Sequence, residues 1–227
     1  MPVWLKDPDL VSLTENAVKS LRENDIQLTI IDNGSPLGGG ALREWADLYI
    51  RNPVNLGYAR AVNQGLQMHF GDVVAIANND IRVSPNWKEV AEEILKDKEV
   101  CSVHFRMIPY DQPFNPGQDT WVGGKERWCS SSFFVVRAEH FYDENLLNSY
   151  DDYEYWYRWR KSGYKQAYTN KSEYQHLDSS TVQRLPEHTE ENKKNYEYYK
   201  EKHGEYPDIQ FAKEFPDQLK EQWKPFP

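Results

Sequence analysis

The feature that most constrains this chain is Val73-Val74-Ala75-Ile76-Ala77, five apolar residues in a row, closed by Asn78-Asn79-Asp80. A strand with one wet face alternates polar and apolar residues. An unbroken apolar run instead belongs in a sheet covered by helices on both faces. Residues 26–31 (Ile-Gln-Leu-Thr-Ile-Ile) read as a second buried strand, stopped by the turn-rich Asp32-Asn33-Gly34-Ser35-Pro36. A short strand is expected at Leu48–Arg51. Apolar spacing at Ala59, Val62 and Leu66 predicts a helix over 58–69, broken by Gly71-Asp72. Ser84-Pro85 reads as an N-cap with proline at the first helical position, opening a helix over 85–96, and residues 100–107 resume as strand. This β-α-β-α-β order specifies an α/β fold: a mostly parallel twisted sheet with helices on both faces.

Residues 108–128 hold three prolines, three glycines and two tryptophans, and read as one long loop of the kind that often carries function. A strand is expected over 131–137, a helix over 150–162 stopped by Gly163, and two short strands near 164–169 and 172–177. The expected organisation is one domain over 1–182 and a tail over 183–227, holding a helix near 187–203 and then an extended segment. Tyr196, Tyr198, Tyr199 and Trp223 in that tail suit three roles equally: a cover for a site, a dimer contact, or a surface for a partner enzyme.

Charge narrows the function classes. With 27 basic and 36 acidic side chains the net charge is −9, so general binding to nucleic acid or to anionic membranes is not expected. No apolar run reaches the length of a membrane span, and the opening residues have no secretory pattern, so a cytoplasmic location is expected. Two cysteines make neither a disulfide framework nor a zinc cluster. Aromatic residues make up 14% of the chain, enough to supply stacking surfaces for bases or sugars besides the core.

In open parallel sheets ligands bind beyond the carboxyl ends of the strands, where Asp32–Ser35 and Asn78–Asp80 both fall. Asp32 and Asn33 suit either an ordinary Asn-Gly turn or a nucleotide pocket, in which a carboxylate accepts from a base N–H. The stretch from Asn55 to Gly65, with Gly57, Arg60 and Asn63, suits either a small-residue helix packed on the sheet or a helix start facing a diphosphate. Asp80 suits a cap or a ligand to a hard divalent ion, which needs only one or two protein carboxylates beside phosphate oxygens and water. Asp151-Asp152-Tyr153-Glu154 suits a helix start favoured by the dipole, or a general base whose pKa crowding raises. His176 suits a structural histidine or a ligand.

Taken in order, these words resemble the family 2-type glycosyltransferases of the GT-A fold, in particular the rhamnosyltransferase-like branch. The matching words are Ile30-Ile31-Asp32-Asn33-Gly34-Ser35, then Asn55-Leu56-Gly57-Tyr58-Ala59-Arg60-Ala61-Val62-Asn63-Gln64-Gly65, Asn78-Asn79-Asp80, Asp151-Asp152 with Arg158–Tyr164, and His176 with Ser179-Ser180. The resemblance implies transfer of a sugar from a nucleotide-sugar donor to an acceptor hydroxyl, with inversion and with Mn²⁺ or Mg²⁺. Asp32, Asn33, Gly57, Arg60, Asn63 and Asn79 would line the donor pocket. Asp80 and His176 would hold the metal. Asp152, or its neighbour Asp151, would be the base. Apart from the resemblance, Trp121 and Trp128 in the long loop suit either stacking of an acceptor sugar or anchoring of the loop. The acceptor is expected to be a saccharide, glycolipid or protein, and a homo-oligomer is compatible with the sequence. Only the end of the family's opening strand is expected here, matched by Pro2-Val3-Trp4. That favours one alternative, a nucleotide-sugar-binding module without turnover. The other, a sugar nucleotidyltransferase, lacks its glycine-rich signature here.

Overall fold

The computed structural model describes residues 1–123, 131–147, 149–177 and 188–214. Trp128, Ser179, Ser180 and Trp223 therefore lie outside the described residues.

A short strand, β1 (Pro2–Val3), leads into helix α1 (Pro8–Leu21). The helix starts where it does because Asp7 caps it, accepting from the Leu10 amide at 3.2 Å, with proline at the first position. Leu10, Thr14, Ala17, Val18 and Leu21 recur at helical spacing and are buried. Next come β2 (Thr29–Asp32), α2 (Gly39–Trp45), β3 (Leu48–Arg51), α3 (Tyr58–Gln67), β4 (Val73–Ala77), β5 (Ile81–Val83), α4 (Trp87–Ile94) and β6 (Val100–Ile108). The second half holds β7 (Thr120–Val122), β8 (Phe133–Arg137), α5 (Asp151–Lys161), β9 (Lys165–His176), α6 (His188–His203) and α7 (Pro207–Glu214).

The α/β architecture is the one the periodicity predicts. β1, β2 and β3 pair in parallel, with Val3 opposite Asp32 and Asp32 opposite Arg51. The remaining strands run in the order β4-β8-β6-β9-β5, with β7 beside β9. β6 and β9 are parallel, whereas β8 is antiparallel to both β4 and β6, and β5 and β7 are antiparallel to β9. One apolar core fills the α1 and α4 side, with Leu10, Ile30, Val103, Phe133 and Tyr174. The other lies under α3 and α5, with Val62, Phe134, Tyr155, Trp156 and Trp159.

Several local expectations change. α4 opens at Trp87 rather than 85, because the Ser84 hydroxyl is engaged elsewhere, with Asn86 at 3.0 Å and Ser172 at 2.7 Å. The two strands near 164–169 and 172–177 are one, β9, interrupted where Phe105–Arg106 on β6 face Thr169 and Glu173. The long loop contains β7, and the segment after α6 contains α7 rather than extended chain. The end of the opening strand is present as β1. Along β2 and β4 lies a cavity of about 300 Å³ walled by Ile26, Leu28, Leu66, Val74, Ile76 and Trp87. The Met1 amino group closes one end of this hollow. It donates to the Thr29 carbonyl at 2.9 Å, and burial lowers its pKa to about 5.

Candidate active site

The acids lie at the carboxyl end of β2, just after β4 and at the start of α5. Asp32 ends β2 and is fully buried. Its carboxylate accepts from the Ser35 amide at 2.8 Å, the Tyr49 hydroxyl at 2.5 Å and the Arg51 guanidinium. Gly34 makes the turn that follows, at φ +79°. A Cβ there would lie 2.7 Å from the Val54 carbonyl carbon, so both backbone conformation and space demand glycine.

Asn33 is the hub of an amide network. Its Nδ2 donates to Asn55 Oδ1 at 2.7 Å and to the Gly57 carbonyl at 3.1 Å, while its Oδ1 accepts from Asn52 at 3.1 Å and the Leu56 amide at 3.0 Å. Gly57, at φ +88°, turns the chain into α3. Arg60 lies 3.8 Å from Glu144. Asn63 and Asn79 act as tethers. Asn63 Nδ2 donates to the Tyr142 carbonyl at 3.0 Å and Asn63 Oδ1 accepts from the Tyr142 amide at 2.7 Å, while Asn79 donates to Thr14 Oγ1 at 2.9 Å. Both residues are buried and directed at neighbouring elements.

The second cluster is built on β5, β9 and the residues preceding β8. Asp80 leads into β5, and Ile81 pairs with His176 at the end of β9. Asp80 Oδ1 therefore sits 3.1 Å from His176 Nε2, with both side chains almost fully buried. On its other side His176 Nδ1 lies 3.1 Å from the Ser132 hydroxyl. The preceding residue, Ser131, hydrogen-bonds Asp152, accepts from Trp156 Nε1 at 3.0 Å, and through its carbonyl accepts from the Tyr58 hydroxyl at 3.3 Å. Two consecutive serines thus join the Asp80–His176 pair to the start of α5. Residues separated by more than seventy positions come together on one short segment.

Electrostatics agree with that convergence. Burial, and then the fields of Asp151, Asp152 and Asp80, hold the Tyr58 hydroxyl well above its usual pKa. Burial raises Asp151, and the charge of Asp152 raises it further. Asp152 is also raised by burial, against hydrogen bonds from the Tyr153 amide and Ser131. Asp151 Oδ2 is buried with no hydrogen-bond partner among the described residues. Such an oxygen calls for a proton, a cation or a substrate hydroxyl.

The site-bearing stretch matches the model of glycosyl transferase family 2 over residues 11–182. The chain belongs to this family. A search of curated proteins finds no match. Among solved structures, the chain resembles the mannosyltransferase PcManGT from Pyrobaculum calidifontis, solved with GDP-Man and Mn²⁺. The TM-score is 0.64 at 15% identity over 79% of this chain and 56% of that one. TarS 1-349 from S. aureus gives 0.60 at 11% identity over 99% of this chain and 74% of that one. GalNAc-T7, solved with UDP, GalNAc and Mn²⁺, gives 0.58 at 15% identity over 73% and 40%. These likenesses establish the GT-A fold. The chain spans 56% of the mannosyltransferase and 40% of GalNAc-T7.

A divalent ion fits the donor set. One carboxylate oxygen and one imidazole nitrogen face each other at 3.1 Å, and a hard ion bound with a diphosphate needs no more from the protein. Among the described residues no group of three His, Cys, Asp or Glu side chains forms a protein-only cage. No helix among them is long and apolar enough to cross a membrane. Trp121 sits elsewhere. It packs on Tyr168 with ring centroids 5.7 Å apart; Tyr168 pairs with His104 and Gln175 with Ile108, so that ring pair lies about five strand positions, roughly 17 Å, from His176. Sequence reasoning missed Ser131, Ser132, Tyr49 and Arg51. The doublet Ser131-Ser132 opening the apolar run Phe133–Val136 was the available signal, but serine pairs are too common to single out.

Proposed function

We propose that this family 2 transferase is metal-dependent and inverting, and that it moves a sugar from a nucleoside diphosphate donor to an acceptor hydroxyl. The observation that supports the reading is the serine doublet, in which Ser132 bonds His176, itself facing Asp80, while the adjacent Ser131 bonds Asp152. Mn²⁺ and nucleotide sugars in similar structures support the choice of ion and donor.

Asp80 and His176 would hold the ion, which when bound would neutralise charge developing on the departing diphosphate. Asp152 takes the proton from the acceptor hydroxyl as that oxygen attacks the anomeric carbon opposite the leaving group. Burial suits it to the task by making the carboxylate a stronger base than one in water. Ser131 holds the carboxylate in place. The network around Asn33 fixes the turn into α3, and Asp32, clamped by Tyr49 and Arg51, forms the floor for the nucleoside. The Asn at the head of Asn78-Asn79-Asp80 supports the rhamnosyltransferase-like branch.

The test is a panel of nucleotide sugars with the full chain, with and without Mn²⁺, reading release of the nucleoside diphosphate. Turnover by the wild type and its loss of about 10²–10⁴-fold in Asp152→Asn, with UDP still bound, is the expected result. Metal-dependent binding without turnover on any donor would point instead to a binding module.

A further inference from the structure

Family 2 matching stops at residue 182, before α6 begins, yet α6 reaches back to the acid pair. Its inward face carries Asn195, Tyr198, Tyr199 and Lys202, at helical spacing. Asn195 is buried, and its Nδ2 lies 2.8 Å from the Leu147 carbonyl, 3.2 Å from the Ser149 carbonyl and 2.8 Å from the Ser149 hydroxyl. The Tyr198 hydroxyl donates to Asp143 at 2.9 Å. Lys202 joins Asp143 at 2.6 Å and Glu154 at 2.7 Å. Glu154 is fully buried on α5, two residues after Asp152, and also accepts from Arg158 at 2.8 Å. One helix therefore holds both sides of the acid pair: the chain entering it and the turn leaving it.

That entry is under strain. Tyr150, immediately before Asp151, sits at φ +58°, where among the described residues no other non-glycine residue has positive φ. It is the N-cap residue of α5, yet its side chain makes no capping bond. Left to itself the turn would relax toward ordinary backbone and rotate the first turn of α5, which bears Asp151 and Asp152. Asn195 grips the carbonyl just before the strained residue, and Tyr196 packs beside the Tyr150 ring at 5.8 Å.

We propose that α6 is a brace for the acid pair and that Asn195 is a positioning residue, holding the left-handed turn at Tyr150 and so fixing the direction of Asp151 and Asp152. This rests on the reading of that pair as the base. It gives the tail a role inside the reaction.

The experiment uses the full chain and three variants, Asn195→Ala, Tyr150→Gly and the double variant. It reads turnover, affinity for UDP with Mn²⁺, and the titration of the pair followed by carbon-13 carboxyl NMR. Asn195→Ala is expected to lower turnover about 10- to 100-fold with UDP affinity unchanged, as a misplaced base does. The pair should titrate nearer to ordinary carboxylates as the turn opens to water. Adding Tyr150→Gly should restore part of both, because glycine holds the left-handed conformation without strain. Unchanged turnover and titration in Asn195→Ala overturn the proposal, as does loss of UDP binding in parallel with turnover. Should Asn195→Ala not fold, Ser149→Ala removes a single contact and is expected to shift titration the same way to a smaller degree; no shift there counts against the brace. A wild type without turnover on any donor refutes the enzymatic reading alone, since the titration still decides the positioning.

Discussion

Replacing Asp143 by asparagine isolates the charge that docks α6. Burial by itself would raise this carboxyl. The Lys202 ammonium, the Asn145 amide and the Tyr198 hydroxyl outweigh burial and hold it at about 2, down from 3.8. At about 1.4 kcal/mol per tenfold change in proton affinity, that fall corresponds to roughly 2 kcal/mol of folding free energy. Because the folded-state value is depressed, the stabilisation is complete above the unfolded-state value near 4 and is lost as pH falls toward 2. Asp143→Asn should therefore be about 2 kcal/mol less stable than wild type at pH 7, and the two should converge as pH falls toward 2. In urea, with an m-value of about 2–3 kcal/mol/M, the midpoint at pH 7 drops by roughly 1 M. The comparison is made at pH 7, 4 and 3 with m held constant. A deficit that stays the same at all three would mean that packing, not the ion pair, was lost. No deficit at pH 7 would mean that Lys202 does not dock the helix.

His176→Ala should weaken Mn²⁺-dependent UDP binding by about 10- to 100-fold while leaving metal-free binding unchanged, measured by calorimetry; equal losses in both would remove His176 from the metal site. Activity should rise with pH through an apparent pKa above the ordinary carboxylate range, since burial raises both members of the acid pair and only the ionised form accepts a proton. In Asp152→Asn the Asp151 carboxyl, followed by carbon-13 NMR, should titrate at lower pH because the Asp152 charge raises it, and an unmoved titration would mean the two acids do not share a field. Gly34→Ala should cost about 1–3 kcal/mol, read as a lower melting temperature, because φ +79° and the 2.7 Å approach to Val54 both oppose a side chain. An unchanged melting temperature would show the turn to be free to rearrange.

The strands most legible in the sequence are those made of continuous apolar residues. Val73–Ala77 falls where its unbroken apolar run places it, and even the half-buried edge strand Leu48–Arg51 falls where it is expected. β5 was missed because three residues, Ile81–Val83, give no period to read, and its existence depends on pairing with β9. α1 was equally unread, although Asp7-Pro8 carried both a cap and a first-turn proline. At the site, Asp80 and His176 were legible as neighbours only through the family resemblance, not through any local pattern. Their contact follows from an antiparallel register between segments ninety-six residues apart, which no local rule encodes. Asn63 and Asn79 show the reverse. Their position in motifs suggested ligand contacts, whereas both amides are bonded to the Tyr142 backbone and to Thr14. The strain at Tyr150 left no trace in composition, since it is imposed by a helix that the chain reaches only forty residues later.

The grip of α6 on the stretch around Ser149 and Glu154 has a temporal side. A polypeptide leaving the ribosome can assemble its sheet and both apolar cores well before Asn195 and Lys202 emerge. Docking of α6 would then decide when the acid pair becomes competent, so a chain truncated just beyond the family-matched stretch should fold yet remain silent.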